Sequence, residues 1–169
     1  LPDHRKKEPR RTLIFAARPS AGVRRIAMHL RERNKILRML LFADVEAGRT
    51  EALLRDSRLQ RVPAYVEVIR EGETADFLHV VVDGQVEVFS TYRDRETTVA
   101  VLGPGHSFFV AAVILDKICL QSVRTLSPAR VLQVPAEAVR RLFHADAAFA
   151  RAIALELACA YRGIMKEFK

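Results

Sequence analysis

Between Val66 and Pro135 the chain divides into short β-type stretches, each closed by a glycine or proline turn. Pro63 and YVEVI open the region, and Tyr65, Val66, Val68 and Ile69 have strand propensity up to Gly72. FLHVVVDG follows, with Asp83-Gly84 as a hairpin signal and QVEVFSTY as the partner strand. Glu96 to Leu102 is a further strand, stopped by Gly103-Pro104-Gly105. SFFVAAVIL is apolar throughout and has to be buried, as a strand end running into a short helix. Leu120–Leu126 and Ala129–Val134 read as a last hairpin around Ser127-Pro128. Many short strands at such spacing predict a small antiparallel β-barrel or roll.

Helical patterns flank this region. Asn34–Phe42 places Ile36, Leu37, Leu40 and Leu41 near one face, and Asp44 is set to cap a second helix over about Val45–Arg55. After Pro135, PAEAVRRLF starts a helix at its proline, with Val139, Leu142 and Phe143 apolar. Asp146 then caps a long helix to the chain end. Along it Ala150, Ala154, Leu157, Tyr161, Ile164 and Phe168 recur in alternating steps of three and four, the seam of a dimerising helix. The plainer role for those residues is to cover the barrel. The fold class is mainly β with flanking helices (α+β), a jelly-roll-type β-roll followed by a long C-terminal helix. Three parts are expected: a basic, flexible arm over 1–33, a roll domain with short helices over 34–145, and the dimerisation or connector helix over 146–169.

Charge separates the first part from the rest. Residues 1–38 hold 12 Lys/Arg against 3 Asp/Glu, so the net charge of +8 resides there and the remainder is near neutral. The arm reads as a flexible extension, or as a basic strand that touches nucleic acid or an acidic surface. Its Arg-rich, acid-poor composition is also that of a transit peptide, a reading that the bacterial-looking features farther along disfavour, and the chain begins at Leu1 rather than Met. No apolar run approaches the roughly 20 residues that span a bilayer, so no membrane role is expected. Cys119 and Cys159 make no disulfide framework and fit a reducing cytoplasm. No metal-ligand spacing is present, and no nucleophile–base motif, phosphate loop or HExxH, so neither a metal site nor an enzyme is expected.

IREGE (Ile69–Glu73), FLHVVVDGQVEVF (Phe77–Phe89), LGPGHSF (Leu102–Phe108) and the terminal VLQVP, followed by a short and a long helix, resemble the cyclic-nucleotide-binding fold of Crp/Fnr-type bacterial transcription regulators. The resemblance covers residues from about 34 to 169. It implies that the last helix dimerises the subunits and connects each sensor barrel to a helix-turn-helix domain. No helix-turn-helix pattern is read in this chain, so DNA would be reached only through a domain outside it.

The resemblance also implies a ligand cassette: a Gly-Glu pair for close approach and the ribose hydroxyl, and an Arg about ten residues on for the cyclic phosphate. Counted from Gly105, the Gly-Glu slots fall on Phe109 and Val110; counted back from VLQVP, the Arg slot falls on Cys119 or Leu120. Arg124-Thr125 looks like the missing pair but stands about four or five residues too far along. The positions that contact the base in nucleotide-binding relatives fall near Ile164 and Met165, both apolar. The expected pocket is therefore apolar and degenerate, drawn from Phe108, Phe109, Val110, Val113, Ile114, Cys119, Leu120 and the long helix, with Arg124 a further anion candidate. It either binds an apolar or planar effector or is filled.

No cofactor is expected. Heme is the one group the resemblance leaves open, with His79, His106 and Cys119 as axial candidates, although a strand, a turn and a buried small residue are the plainer roles. An iron–sulfur cluster needs about four cysteines. Two functions remain: the effector-sensing and dimerisation half of a transcription regulator, or a stand-alone ligand-binding or protein-interaction module.

Overall fold

The computed structural model describes residues 24–167. In chain order the elements are β1 (Arg24–Ile26), α1 (Leu30–Leu37), α2 (Ala47–Arg55), β2 (Arg58–Val62), β3 (Glu67–Ile69), β4 (Phe77–Asp83) and β5 (Val86–Tyr92). There follow β6 (Arg95–Leu102), β7 (Ser107–Phe108), α3 (Val110–Leu115), β8 (Ser122–Thr125), β9 (Ala129–Pro135), α4 (Ala136–Ala145) and α5 (Ala147–Glu167). The strands form two antiparallel sheets, ordered β1-β2-β9-β4-β7 and β3-β8-β5-β6. This is the expected β-roll with flanking helices and a long last helix.

Alternation along β4 divides the core in two. Leu78, Val80 and Val82 face the helices and join Ile36, Phe42, Leu132, Val139, Phe149 and Ile153. Val81 points between the sheets and joins Val86, Val88, Phe108, Val123 and Val131. With both faces covered, the strand reads as a continuous apolar run rather than an alternating one. Phe42 stacks on Phe149 at 6.3 Å between centroids, which fixes α5 against the helical layer.

Two expected hairpins turn out to be corners. β4 and β5 lie in different sheets, and so do β8 and β9. Asp83-Gly84 and Ser127-Pro128 each carry the chain across, and the two corners pack together: Gln85 N donates to Ser127 Oγ at 3.0 Å and Leu126 N to Gln85 O at 2.9 Å. Gly84 has φ +82, and a Cβ there would lie 2.4 Å from the Pro128 carbonyl, so only glycine fits. The tight hairpin joins β5 and β6 instead, where Arg93 and Asp94 take positive φ without a glycine.

The N-terminal helices also shift. α1 ends at Leu37, and a turn then puts Met39, Leu41 and Phe42 into the core while Leu40 is 88 % exposed. Asp44 does not cap α2; Glu46 occupies that position and its carbonyl accepts the Arg49 and Thr50 N–H groups. β1 lies within the stretch expected as an arm and pairs with β2 at the sheet edge. Residues 1–23 of that arm fall outside the described residues. Asp146 caps α5 as its side chain predicts, with Oδ1 accepting the Phe149 N–H at 2.9 Å and Oδ2 meeting Arg49 Nη1 at 3.2 Å.

Candidate functional site

β7 ends at Phe108 and the chain must turn at once into α3. The turn is made by Phe109 at φ 64, ψ 25, a left-handed conformation that costs a residue with a Cβ about 1–2 kcal/mol. Phe109 sits edge-on to Phe108, with centroids 5.7 Å apart, and Phe108 stacks on His79 at 4.9 Å. α3 closes on a second left-handed residue, Asp116. Arg140 of α4 holds that end by donating to the Val113 carbonyl at 3.0 Å and to Asp116 Oδ1 at 3.2 Å.

Between α3, the loop that follows it and α5 lies a cavity of about 510 Å3. Its inner wall is Ser107, Phe109, Val110, Glu156 and Leu157, all at least partly buried; its rim is Leu115, Lys117, Ile118, Leu120 and Ala160, all exposed. Glu156 ties the wall together. Its Oε1 accepts the Ser107 N–H at 2.7 Å and the Ser107 hydroxyl as well, which joins β7 to α5.

Of the residues expected in the pocket, Phe109, Val110 and Leu120 line this cavity. Phe108 is turned between the sheets, Val113 is fully buried in the helical core, and Ile114 packs against that core. Cys119 is also fully buried; desolvation, with Glu73 and Asp76 nearby, pushes its thiol up to about 11. Its backbone is held by Gly72 and Glu73 at 2.8 Å on each side. Arg124 lies elsewhere, on β8. Its Nε donates to Glu87 Oε2 at 2.7 Å, its Nη1 to Glu96 Oε2 at 2.6 Å, and its guanidinium covers Phe89 at 4.4 Å. Those bonds raise the Arg124 pKa, and on Glu87 the Thr98 hydroxyl followed by Arg124 holds the carboxyl low. The arginine therefore has its anions already.

Ser107, Glu156, Leu115 at the end of α3 and the α3–β8 loop residues Lys117, Ile118 and Gln121 were not expected in the site. The signal for Glu156 was in view: one carboxylate in the apolar stretch IALELACA. Its partner, Ser107, stands 49 residues away, and no local pattern joins them.

The heme candidates do not converge. His79 lies within the roll, where Gln133 Nε2 donates to its Nε2 at 3.1 Å and burial lowers its pKa to about 4. His106 is exposed in the Gly103–Gly105 turn, at the edge of a wider groove of about 820 Å3 on another side of α5. Neither histidine nor Cys119 lines the 510 Å3 cavity. Among the described residues no group of three or more His, Cys, Asp or Glu is placed to hold a metal ion, and no helix is long and apolar enough to cross a membrane.

Along α5, Phe149 and Ile153 are buried and Ala150 and Leu157 half-buried. Of the other seam residues, Ala154, Tyr161 and Ile164 are exposed, and Phe168 lies outside the described residues. Every residue from 158 to 166 is exposed, so the last turns of the helix run clear of the roll.

A family model described as the cyclic nucleotide-binding domain matches residues 59–146. Among solved structures, the catabolite activator protein of Thermus thermophilus aligns at TM-score 0.65 and 22 % identity, over 76 % of this chain and 61 % of that one. DNR from Pseudomonas aeruginosa aligns at 0.67 and 20 %, over 82 % of this chain and 63 % of that one. The sensor domain of DNR alone aligns at 0.66 and 19 %, over 75 % of this chain and 91 % of that one. The chain thus spans less than two thirds of the first two proteins, and at these identities the likeness is one of fold. No curated protein matches the sequence.

Proposed function

This chain belongs to the cyclic nucleotide-binding domain family, and on that premise we propose that it is the effector-sensing and dimerisation part of a Crp/Fnr-type transcription regulator whose cavity does not take cyclic AMP. The roll over 34–145 is the sensor, and the helix from 146 onward joins it to a second copy and, in the whole regulator, to the DNA reader. The work belongs in the cytoplasm, where Cys119 and Cys159 stay as free thiols.

One observation carries the ligand side. The positions that a nucleotide-binding cassette gives to Gly-Glu and Arg hold Phe109, Val110 and Cys119–Leu120, and the inner wall of the cavity offers a carboxylate, Glu156, in place of a cation. A cyclic phosphate brought there would lose water, find no guanidinium and face a like charge, a cost of several kcal/mol. Phe109 also fills with its ring the space that a glycine leaves open. The effector is then a small, largely apolar molecule seated on Phe109, Val110 and Leu157.

The dimer side rests on the exposed Ala154, Tyr161 and Ile164 along α5, an apolar seam at coiled-coil spacing. Both halves are tested on one preparation. Millimolar cyclic AMP leaves the melting temperature unchanged, and a clear rise overturns the degenerate cavity. The chain sediments as a dimer that Ile164→Glu weakens; a monomer at tens of micromolar overturns the seam.

A further inference from the structure

Glu156 is an unusual choice for the inner wall of an apolar cavity. One oxygen, Oε1, takes both bonds from Ser107. Among the described residues no hydrogen bond is made to Oε2, and no Lys, Arg or His pairs with the carboxylate. Glu156 stands where the cavity and the wider groove adjoin, lining both, but Ser107 lines only the cavity and so fixes the carboxylate on that side. Lys117, the other formal charge of the lining, is out on the exposed rim. This half-buried carboxylate, beside Phe109, Val110 and Leu157, keeps one oxygen open to a cation or strong donor.

We infer that the cavity is a site for a small apolar cation, an alkyl- or arylammonium whose charged nitrogen docks on Glu156 and whose hydrocarbon body lies on Phe109, Val110 and Leu157. This rests on the reading of the cavity as the effector site and adds the sign of the ligand's charge. The chemistry is complementary at both ends. The Ser107 hydroxyl spends its proton on Glu156, so its lone pairs remain to accept from an ammonium N–H. The exposed apolar rim of Leu115, Ile118 and Leu120 suits the far end of the hydrocarbon. Because Glu156 belongs to α5 and Ser107 to β7, the ammonium would bind at the joint between the roll and the helix proposed to pair.

Three probes of one body and three charges test it on the full chain: phenethylammonium, phenethyl alcohol and phenylacetate, by calorimetry and thermal shift. The ammonium is expected to bind saturably, at least about tenfold tighter than the alcohol, as a charge-assisted bond requires, and phenylacetate not at all. Glu156→Gln keeps an acceptor for Ser107 and is expected to bring the ammonium down to the alcohol's affinity. Equal affinity of alcohol and ammonium, or preference for phenylacetate, overturns the inference and leaves an apolar effector cavity standing. Binding by none of the three overturns both. If Glu156→Gln loses its folded circular dichroism, the contrast between ammonium and phenylacetate in the native chain decides alone.

Discussion

The interior of the roll and the cavity beside α5 are built from adjoining residues, yet they treat rings and charges in opposite ways. Phe108 lies between the sheets, stacked on His79, in ordinary strand conformation; Phe109, next in the chain, is left-handed and half-exposed at the cavity. On the sheet side, Arg124 has two carboxylates and an aromatic face. On the cavity side, Glu156 has a serine and, among the described residues, no cation. One region is complete in itself. The other keeps strain, exposed apolar side chains and an unpaired charge, the features from which ligand sites are made.

Substitutions sharpen this contrast, and the largest effect falls in the interior. Phe108→Ala is expected to cost about 4 kcal/mol by denaturant unfolding, because a fully packed ring is removed from between the sheets. Acid is next. Folded His79 stays neutral down to about pH 4 while the unfolded chain takes up its proton near 6.5. The unfolded state therefore binds more protons between those values, so stability declines as pH falls from 6.5 and levels off near 4, losing about 3 kcal/mol in all. His79→Gln should flatten that part of the profile. Arg124→Ala strips Glu87 of its cation; with the pair partly solvated, roughly 2 kcal/mol is expected in chemical denaturation. Phe109→Gly should be the mildest, within about 1 kcal/mol, since relief of the left-handed strain offsets the lost ring. A Phe109→Gly loss as large as that of Phe108→Ala would erase the contrast.

Much of the architecture was legible in the chain because it is set locally. Strand propensity, the glycine turns and the Asp146 cap act over a few residues, and each predicts its element. The corners were not legible, since Asp83-Gly84 satisfies the rule for a hairpin equally well; only the packing of Gly84 on Pro128, 44 positions along, sends the chain into the other sheet. Spacing from Gly105 singled out Phe109 and Val110, and both line the cavity. The expected pocket also included Phe108, which the alternation of side chains along β7 turns inward. Arg124 attracted notice as a cation near a ligand slot, and what its sequence position hides is the pair of acids on β5 and β6. Glu156 carries no sign of its partner in its own helix, because Ser107 reaches it only through the fold.

The contrast between a finished interior and an unfinished cavity is tested most directly by residue-resolved amide chemical shifts during titration with phenethylammonium and, separately, with cyclic AMP. The expected result is that phenethylammonium moves the amides of Ser107 to Ala112 and of Glu156 and Leu157, that the β5–β8 amides stay still, and that cyclic AMP moves none of them. Saturable shifts of the Ser107–Ala112 amides with cyclic AMP, and none with the ammonium, would contradict it.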